Sequence, residues 1–337
     1  MMPAHFRTPI RLQKASFQLS HSDKILCIGS CFAENIGCRL QAAQFDMVVN
    51  PFGITYNPVS IGEQLAQLLS GRVYTAADLE VHRGLYFSWQ HHGHFDDADP
   101  NTVLHRINTQ LELGREQLKT ATHLMLTLGT AQVFALPNGH IVNNCHKVSA
   151  ANFVEYRLTL AQSIEALSPV VEALLLQRPD IRIIFTVSPV RHLRRGAVEN
   201  QRSKAILTLT ADYFEQKYPE AVHYFAANEL LLDDLRDYRF YAEDMLHPSV
   251  QAVDYIFEHF AETYFSTTTR SIITDIERLQ AAAAHRPFRA NTPEHQEFVQ
   301  AQLAQLDAFE QKFGLILSEV RATFEAQRAE AIRHIAP

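Results

Sequence analysis

"KILCIGSCFAENIG", Lys24 to Gly37, is the stretch on which the fold turns. An apolar run, Ile25 to Ile28, stops at Gly29-Ser30-Cys31, and a helical pattern follows at once. A short apolar run closed by glycine reads as a buried strand, and its passage straight into a helix reads as the start of a β–α unit. Two readings of the junction stay open. Ser30 caps the helix by accepting an N–H from its first turn, or it is a nucleophile held at a strand end. Cys31 competes for that second role, because a helix N-terminus lowers a thiol pKa. A small buried thiol is its plain reading.

Working outward, the same alternation continues to about residue 265. Strands are expected at "MVV" (47–49), "HLMLTLGT" (123–130), "IRIIFTVSP" (181–189) and "AVHYFAA" (221–227). Helices are expected over about 33–44, 60–70, 101–118, 152–177, 198–217 and 250–265. Residues 73–96 read as a strand–turn insertion, and 132–144 as a hairpin turning at Pro137-Asn138-Gly139. Continuous apolar strands separated by helices predict an α/β fold, a three-layer sandwich with a parallel sheet covered on both faces. Chemistry in such sheets sits at the carboxyl ends of the strands, where Gly29-Ser30, Gly129-Thr130 and Ser188-Pro189 fall.

The last seventy or so residues differ. "STTTRS" (266–271) is a polar joint, and Thr292-Pro293-Glu294 is a helix-start signal. Leu306, Phe309, Phe313, Leu317, Val320 and Phe324 then recur every three or four residues, which predicts one apolar stripe on a long helix. The division is therefore a domain over 1–265 and a helical C-terminal extension over 270–335. That extension either packs on the first domain or makes a homodimer contact.

Composition narrows the function. The chain has 337 residues, 47% hydrophobic and 10% aromatic, enough for a sizeable core. Thirty Lys and Arg against 37 Asp and Glu give a net charge of -7, and no basic stripe interleaves with aromatics, so a nucleic-acid partner is not expected. No apolar run approaches a membrane span and the start lacks a signal-peptide core. The four Cys, at 27, 31, 38 and 145, form no C-x-x-C pair. A reduced, cytoplasmic protein is the expectation.

Three further segments bear on chemistry. In "EDMLHPS", Asp244 and His247 stand three apart before a Pro-started helix. A short loop can turn both to one side, so that the carboxylate holds the imidazole in one tautomer while the other nitrogen faces a nucleophile. The plain alternative is a capping Asp and a loop His. "QHHGH" (90–94) invites a metal reading, but no carboxylate completes a site nearby, and no metal is expected; a solvated or substrate-facing rim fits better. "VRHLRRG" (190–196) is either an anion-holding cluster or a solvated turn.

A Gly-Ser closing the first strand, with Asp-x-x-His in the last loop, is the chain order of the SGNH (GDSL-type) hydrolases, and the sequence resembles that superfamily at both ends. It is more closely similar to the GSCFA family, whose name spells Gly29-Ser30-Cys31-Phe32-Ala33. "NPFGITYNP" (50–58), "TLGTAQVF" (127–134), "NNCHKV" (143–148), "TVSPVRH" (186–192), "ENQRSKA" (199–205) and "DMLHPS" (244–249) extend the match over roughly residues 20–260. The resemblance implies a flavodoxin-like fold with Ser30 as nucleophile, His247 as general base and Asp244 orienting it. It implies an oxyanion site built from the nucleophile's N–H, the Gly53 N–H and an Asn in the third block. There the sequence departs: Gly129-Thr130-Ala131-Gln132 puts Ala131 at the Asn position. Gln132, Asn144 and His192 are the candidate replacements.

The expected activity is acyl-ester chemistry without a cofactor, as a hydrolase (esterase) or an O-acyltransferase acting on a small-molecule or glycan ester. Two rivals stand beside it: a binding or scaffold protein on a degenerate hydrolase fold, favoured by Ala131, and a thiol enzyme based on Cys31.

Overall fold

The computed structural model describes residues 8–288 and 292–333. They fall into two compact units. One comprises the chain up to Gln41 with Phe45–Tyr264; the other comprises Ala42–Gln44 and the chain from Phe265 onward.

The first unit is built on a parallel five-stranded sheet. Its strands are β1 (Lys24–Gly29), β2 (Asp46–Val49), β5 (His123–Leu128), β9 (Arg182–Val187) and β10 (Val222–Phe225), in the order β10-β9-β5-β1-β2. Register is set by pairs such as Gly29 with Thr127 and Thr127 with Thr186, which brings the ends of the three central strands level. Alternate residues point to opposite faces, and both sets are buried. Leu26, Ile28, Leu126 and Phe185 pack on one face with the apolar sides of α2 (Pro58–Ser70), α3 (Pro100–Thr120), α4 (Leu160–Gln177) and α5 (Gly196–Lys217). On the other face Phe225 meets Phe260 of α7 (Val250–Tyr264) edge-on at 5.3 Å, and Cys27 lies beneath Ala33 of α1 (Cys31–Ala42). Helices therefore cover both faces, the α/β sandwich predicted from the apolar runs.

Small additions decorate this frame. β3 (Glu80–His82) and β4 (Leu85–Phe87) form a hairpin. β6 (Gln132–Ala135) pairs antiparallel with both β7 (Ile141–Val142) and β8 (Val154–Arg157). β8 occupies sequence expected to open a helix at 152. The helix starts later because Thr159 and Gln162 form a reciprocal capping box, and β6 offers an open edge to the residues before it. After β10 a short helix, α6 (Ala227–Glu229), runs into a π-helical turn over Leu230–Leu235. Among the described residues no helix is long and apolar enough to cross a membrane.

The second unit contains α8 (Thr267–Ala284), α9 (Pro293–Phe313) and α10 (Ser318–Arg333). The single long helix expected there is two helices. Gly314, at φ +69°, ends α9 in the left-handed conformation that glycine adopts without penalty. Leu306, Phe309, Leu317, Val320 and Phe324 are buried, together with Ile276, Leu279 and Val299, in a core that belongs to this unit.

Candidate active site

The junction after β1 is fixed by close approach. A Cβ on Gly29 would lie 2.4 Å from the Thr127 carbonyl oxygen, so only glycine lets β1 pass β5 at this point. The Gly29 N–H donates to Asn50 Oδ1 at 2.8 Å, and the Thr55 N–H donates to the Gly29 carbonyl at 2.9 Å. Ser30 follows with no exposed surface. Its Oγ accepts the Phe32 N–H at 3.3 Å, its carbonyl accepts the Ala33 N–H, and its own N–H donates to Thr127 O. Ser30 thus acts as the N-cap of α1.

One residue on, Cys31 is half-buried and lines a cavity of about 450 Å³. The same cavity is lined by Tyr56, Thr130, Gln132, Asn144, His192 and His247. Ser30 is not among its lining residues. Burial, with Glu34 adding to it, raises the Cys31 pKa; the amides of Cys31 and Phe32 and the Lys204 cation oppose that rise without cancelling it. The thiol is therefore largely protonated near neutrality and needs a base to become a nucleophile.

His247 lines the same cavity. His247 Nδ1 lies 2.6 Å from Asp244 Oδ2, and Asp244 Oδ1 accepts the N–H groups of Leu246 (2.9 Å) and His247 (3.0 Å). Those two amides, and then the His247 ring, hold the Asp244 pKa down to about 2. A carboxylate is acceptor-only, so Nδ1 carries the proton between them. The loop is tied to the end of β9: the Arg191 N–H donates to Leu246 O at 3.0 Å, and its guanidinium to Met245 O at 3.2 Å.

The anticipated oxyanion donors are placed differently. The Gly53 N–H donates to Asn50 O at 2.7 Å within a turn at φ +77°, and a Cβ there would meet His92 Cβ at 2.4 Å. Gly53 is a packing glycine, away from the cavity lining. The Gly129 and Thr130 amides both donate to Tyr56 O, at 2.7 and 3.0 Å. Ala131 is fully buried, and its N–H donates to Ser203 Oγ at 2.7 Å. Gln132, Asn144 and His192 do reach the cavity. The Asn144 amide oxygen accepts the His146 N–H at 2.8 Å. His192 Nε2 is buried without a partner among the described residues, and burial, then the charges of Lys204 and His247, lowers its pKa to about 3. It stands as a neutral imidazole.

Lys204 was not expected at the site. It is 3% exposed, and its ammonium donates to Gly129 O at 2.7 Å and to Ser188 O at 2.6 Å, so one cation bridges the ends of β5 and β9. Burial lowers its pKa to about 7. The signal was a Ser-Lys pair within the buried seam that runs through Leu207, Ala211 and Phe214 of α5. The "QHHGH" cluster is no solvated rim throughout. His91 is buried against Ser88 Oγ, whereas His92 and His94 face each other at 3.1 Å between their Nδ1 atoms. Among the described residues no group of three or more His, Cys, Asp or Glu is arranged to hold a metal ion.

Comparison with known proteins adds the family. The model described as "GSCFA domain protein, C-terminal domain" matches residues 276–330. A solved structure, provisionally assigned as a platelet activating factor from Streptococcus pneumonia, is 12% identical, covers 71% of this chain and 83% of its own, and superposes with a TM-score of 0.35, too slight a likeness to carry any inference. No curated protein matches. The model of the GSCFA family matches residues 24–260, the span that holds the sheet, the cavity and the Asp244–His247 loop. The chain belongs to the GSCFA family.

Proposed function

We propose that this protein performs acyl transfer, as an esterase or an O-acyltransferase related to the SGNH hydrolases, with Cys31 rather than Ser30 as nucleophile. One observation carries the reading: Cys31 and His247 line one cavity, while Ser30 is sealed beneath it with its Oγ committed to the Phe32 N–H. The GDSL-type pattern supports the same register, since Gly29-Ser30-Cys31-Phe32 puts the thiol where Gly-Asp-Ser-Leu has its hydroxyl.

In the proposed step Cys31 Sγ attacks an ester carbonyl while His247 Nε2 takes the thiol proton. Asp244 steadies the imidazolium. The oxyanion forms near the Cys31 N–H, with the Asn144 amide nitrogen or the His192 imidazole as a further donor. Collapse forms a thioester on Cys31 and expels the alcohol, which takes its proton from His247. Water or an acceptor hydroxyl then gives its proton to Nε2 and attacks the thioester, restoring the thiol.

A second reading, a binding protein on the same fold, draws support from the commitment of the Gly53, Gly129 and Thr130 amides to internal bonds. Turnover of activated aryl esters separates the two. Cys31→Ala and His247→Ala should each cut turnover about 10²-fold or more, with Ser30→Ala retaining most of it. Turnover that survives Cys31→Ala and disappears in Ser30→Ala would reverse the assignment. Absence of turnover in the native chain on any of a panel of acyl donors would favour the binding protein.

A further inference from the structure

Behind the loop of Arg191 and Leu193, which lines the reaction cavity on one side, lies a second cavity of about 230 Å³ on the other. Its walls come from the start of α5, from α6 and the π-helical turn, and from the loop that follows. Three cationic side chains line it: Arg191, Lys204 and Arg236. Asp237 lines it too, its carboxylate already engaged by Arg239 Nη2 at 2.8 Å and the Arg239 N–H at 2.9 Å, and Asp233 pairs with the exposed Arg236 guanidinium at 3.5 Å from outside the lining. The nearby Glu229 carboxylate accepts the Tyr224 hydroxyl at 2.9 Å.

Two buried polar groups in this cavity have unused capacity. Lys204, 3% exposed, donates to two carbonyls and has three hydrogens to give. Asn228, 7% exposed, makes no side-chain hydrogen bond to any other described residue. Its amide is therefore open to the cavity, free to bond water or a ligand atom there. The wall beside it is π-helical, a rare geometry that recurs at functional sites, and it ends at Arg236 in the left-handed conformation, φ +36°. The Arg191 guanidinium lies 5.4 Å over the Tyr241 ring, which limits its freedom before any ligand arrives.

We propose that this second cavity binds the oxyanion group of a small organic molecule, a phosphate monoester or a carboxylate, held by Arg191, Arg236, the Asn228 amide and the third Lys204 N–H. Resting on the acyl-transfer reading, the bound molecule is the acyl acceptor, anchored by its anion with its hydroxyl reaching past Arg191 toward Cys31.

Titration of the full chain with inorganic phosphate and with acetate, by calorimetry at low ionic strength, tests the site. At least one should bind saturably, and which one does so names the oxyanion. Arg236→Gln and Asn228→Leu should each weaken that binding about tenfold or more, while Cys31→Ala should leave it in place, because the site does not depend on the nucleophile. Failure of both anions to bind overturns the proposal, as does binding that ignores Arg236→Gln and Asn228→Leu. Binding lost in Cys31→Ala would place the anion in the reaction cavity and also overturn it. If the site stands but Cys31 proves inert toward every ester, only the acyl-transfer reading falls.

Discussion

Between Ser30 and Cys31 a single step of chain separates a hydroxyl locked as a helix cap from a thiol that reaches the cavity. The consequence is chemical, because a buried thiol with a raised pKa differs from an activated thiolate. Burial, then Glu34, disfavours the charged form, so the neutral thiol persists above the ordinary thiol range. Alkylation of Cys31 by iodoacetamide should therefore keep rising with pH beyond about pH 9. A plateau near neutrality would instead mean a standing thiolate–imidazolium pair with His247. Asp244 and His247 were legible in the sequence, because three residues of loop suffice to bring a carboxylate to an imidazole, and the 2.6 Å contact is there. The choice between Ser30 and Cys31 is left open by the strand and helix signals alone, and only the match of Gly29-Ser30-Cys31-Phe32 to Gly-Asp-Ser-Leu points to the proposed thiol. The choice depends on where the strand hands over to the helix, and shifting that point by one residue exchanges the capping and cavity-facing positions. Lys204 was masked for a related reason: its spacing to Leu207, Ala211 and Phe214 sets it on the seam of α5, but a helical lysine reads as solvated until acceptors such as Gly129 O and Ser188 O are known.

At the scale of elements, the five sheet strands could be read because their apolar runs are continuous on both faces, as burial between helices demands. The errors lie where local signals compete. The Thr159-x-x-Gln162 box marks where α4 begins, but nothing within residues 154–157 announces a strand, which only pairing with β6 reveals. Gly314 was overruled by an apolar period that continues across it, since α9 and α10 present their stripes to one shared core. Helix packing gives a prediction of its own. Gly62 of α2 lies so close to α4 that a Cβ would come within 2.3 Å of the Ala166 carbonyl oxygen. Alanine is the better helix former, yet Gly62→Ala should destabilise the protein by about 1–3 kcal/mol through overpacking. Urea denaturation measures this directly; a stabilised variant would show that α2 can move away from α4 at little cost.

Over the molecule as a whole, several histidines are held neutral by burial. Desolvation lowers the pKa of His91 and His192 to about 3 and that of His123 to about 4. An unfolded chain protonates these rings below about pH 6.5, whereas the folded chain resists until about pH 3–4. Their contribution to stability is therefore fully present above about pH 6.5 and lost as pH falls toward the folded values. For His91 the loss at about pH 4.5 is roughly 3 kcal/mol. His91→Phe, set among Phe52, Tyr74 and Phe95, should flatten the pH dependence of the urea midpoint between about pH 7 and 4.5 by close to one proton. An unchanged slope would mean that His91 is already charged in the fold. The proposed chemistry rests on the identity of the reacting atom. Its most direct measurement is to mix the full chain with an activated aryl acetate, quench in acid, and map the acetyl group by peptide mass spectrometry. Acetyl is expected on Cys31, lost in Cys31→Ala and slowed in His247→Ala. Acetyl on Ser30, persisting in Cys31→Ala, would contradict that assignment.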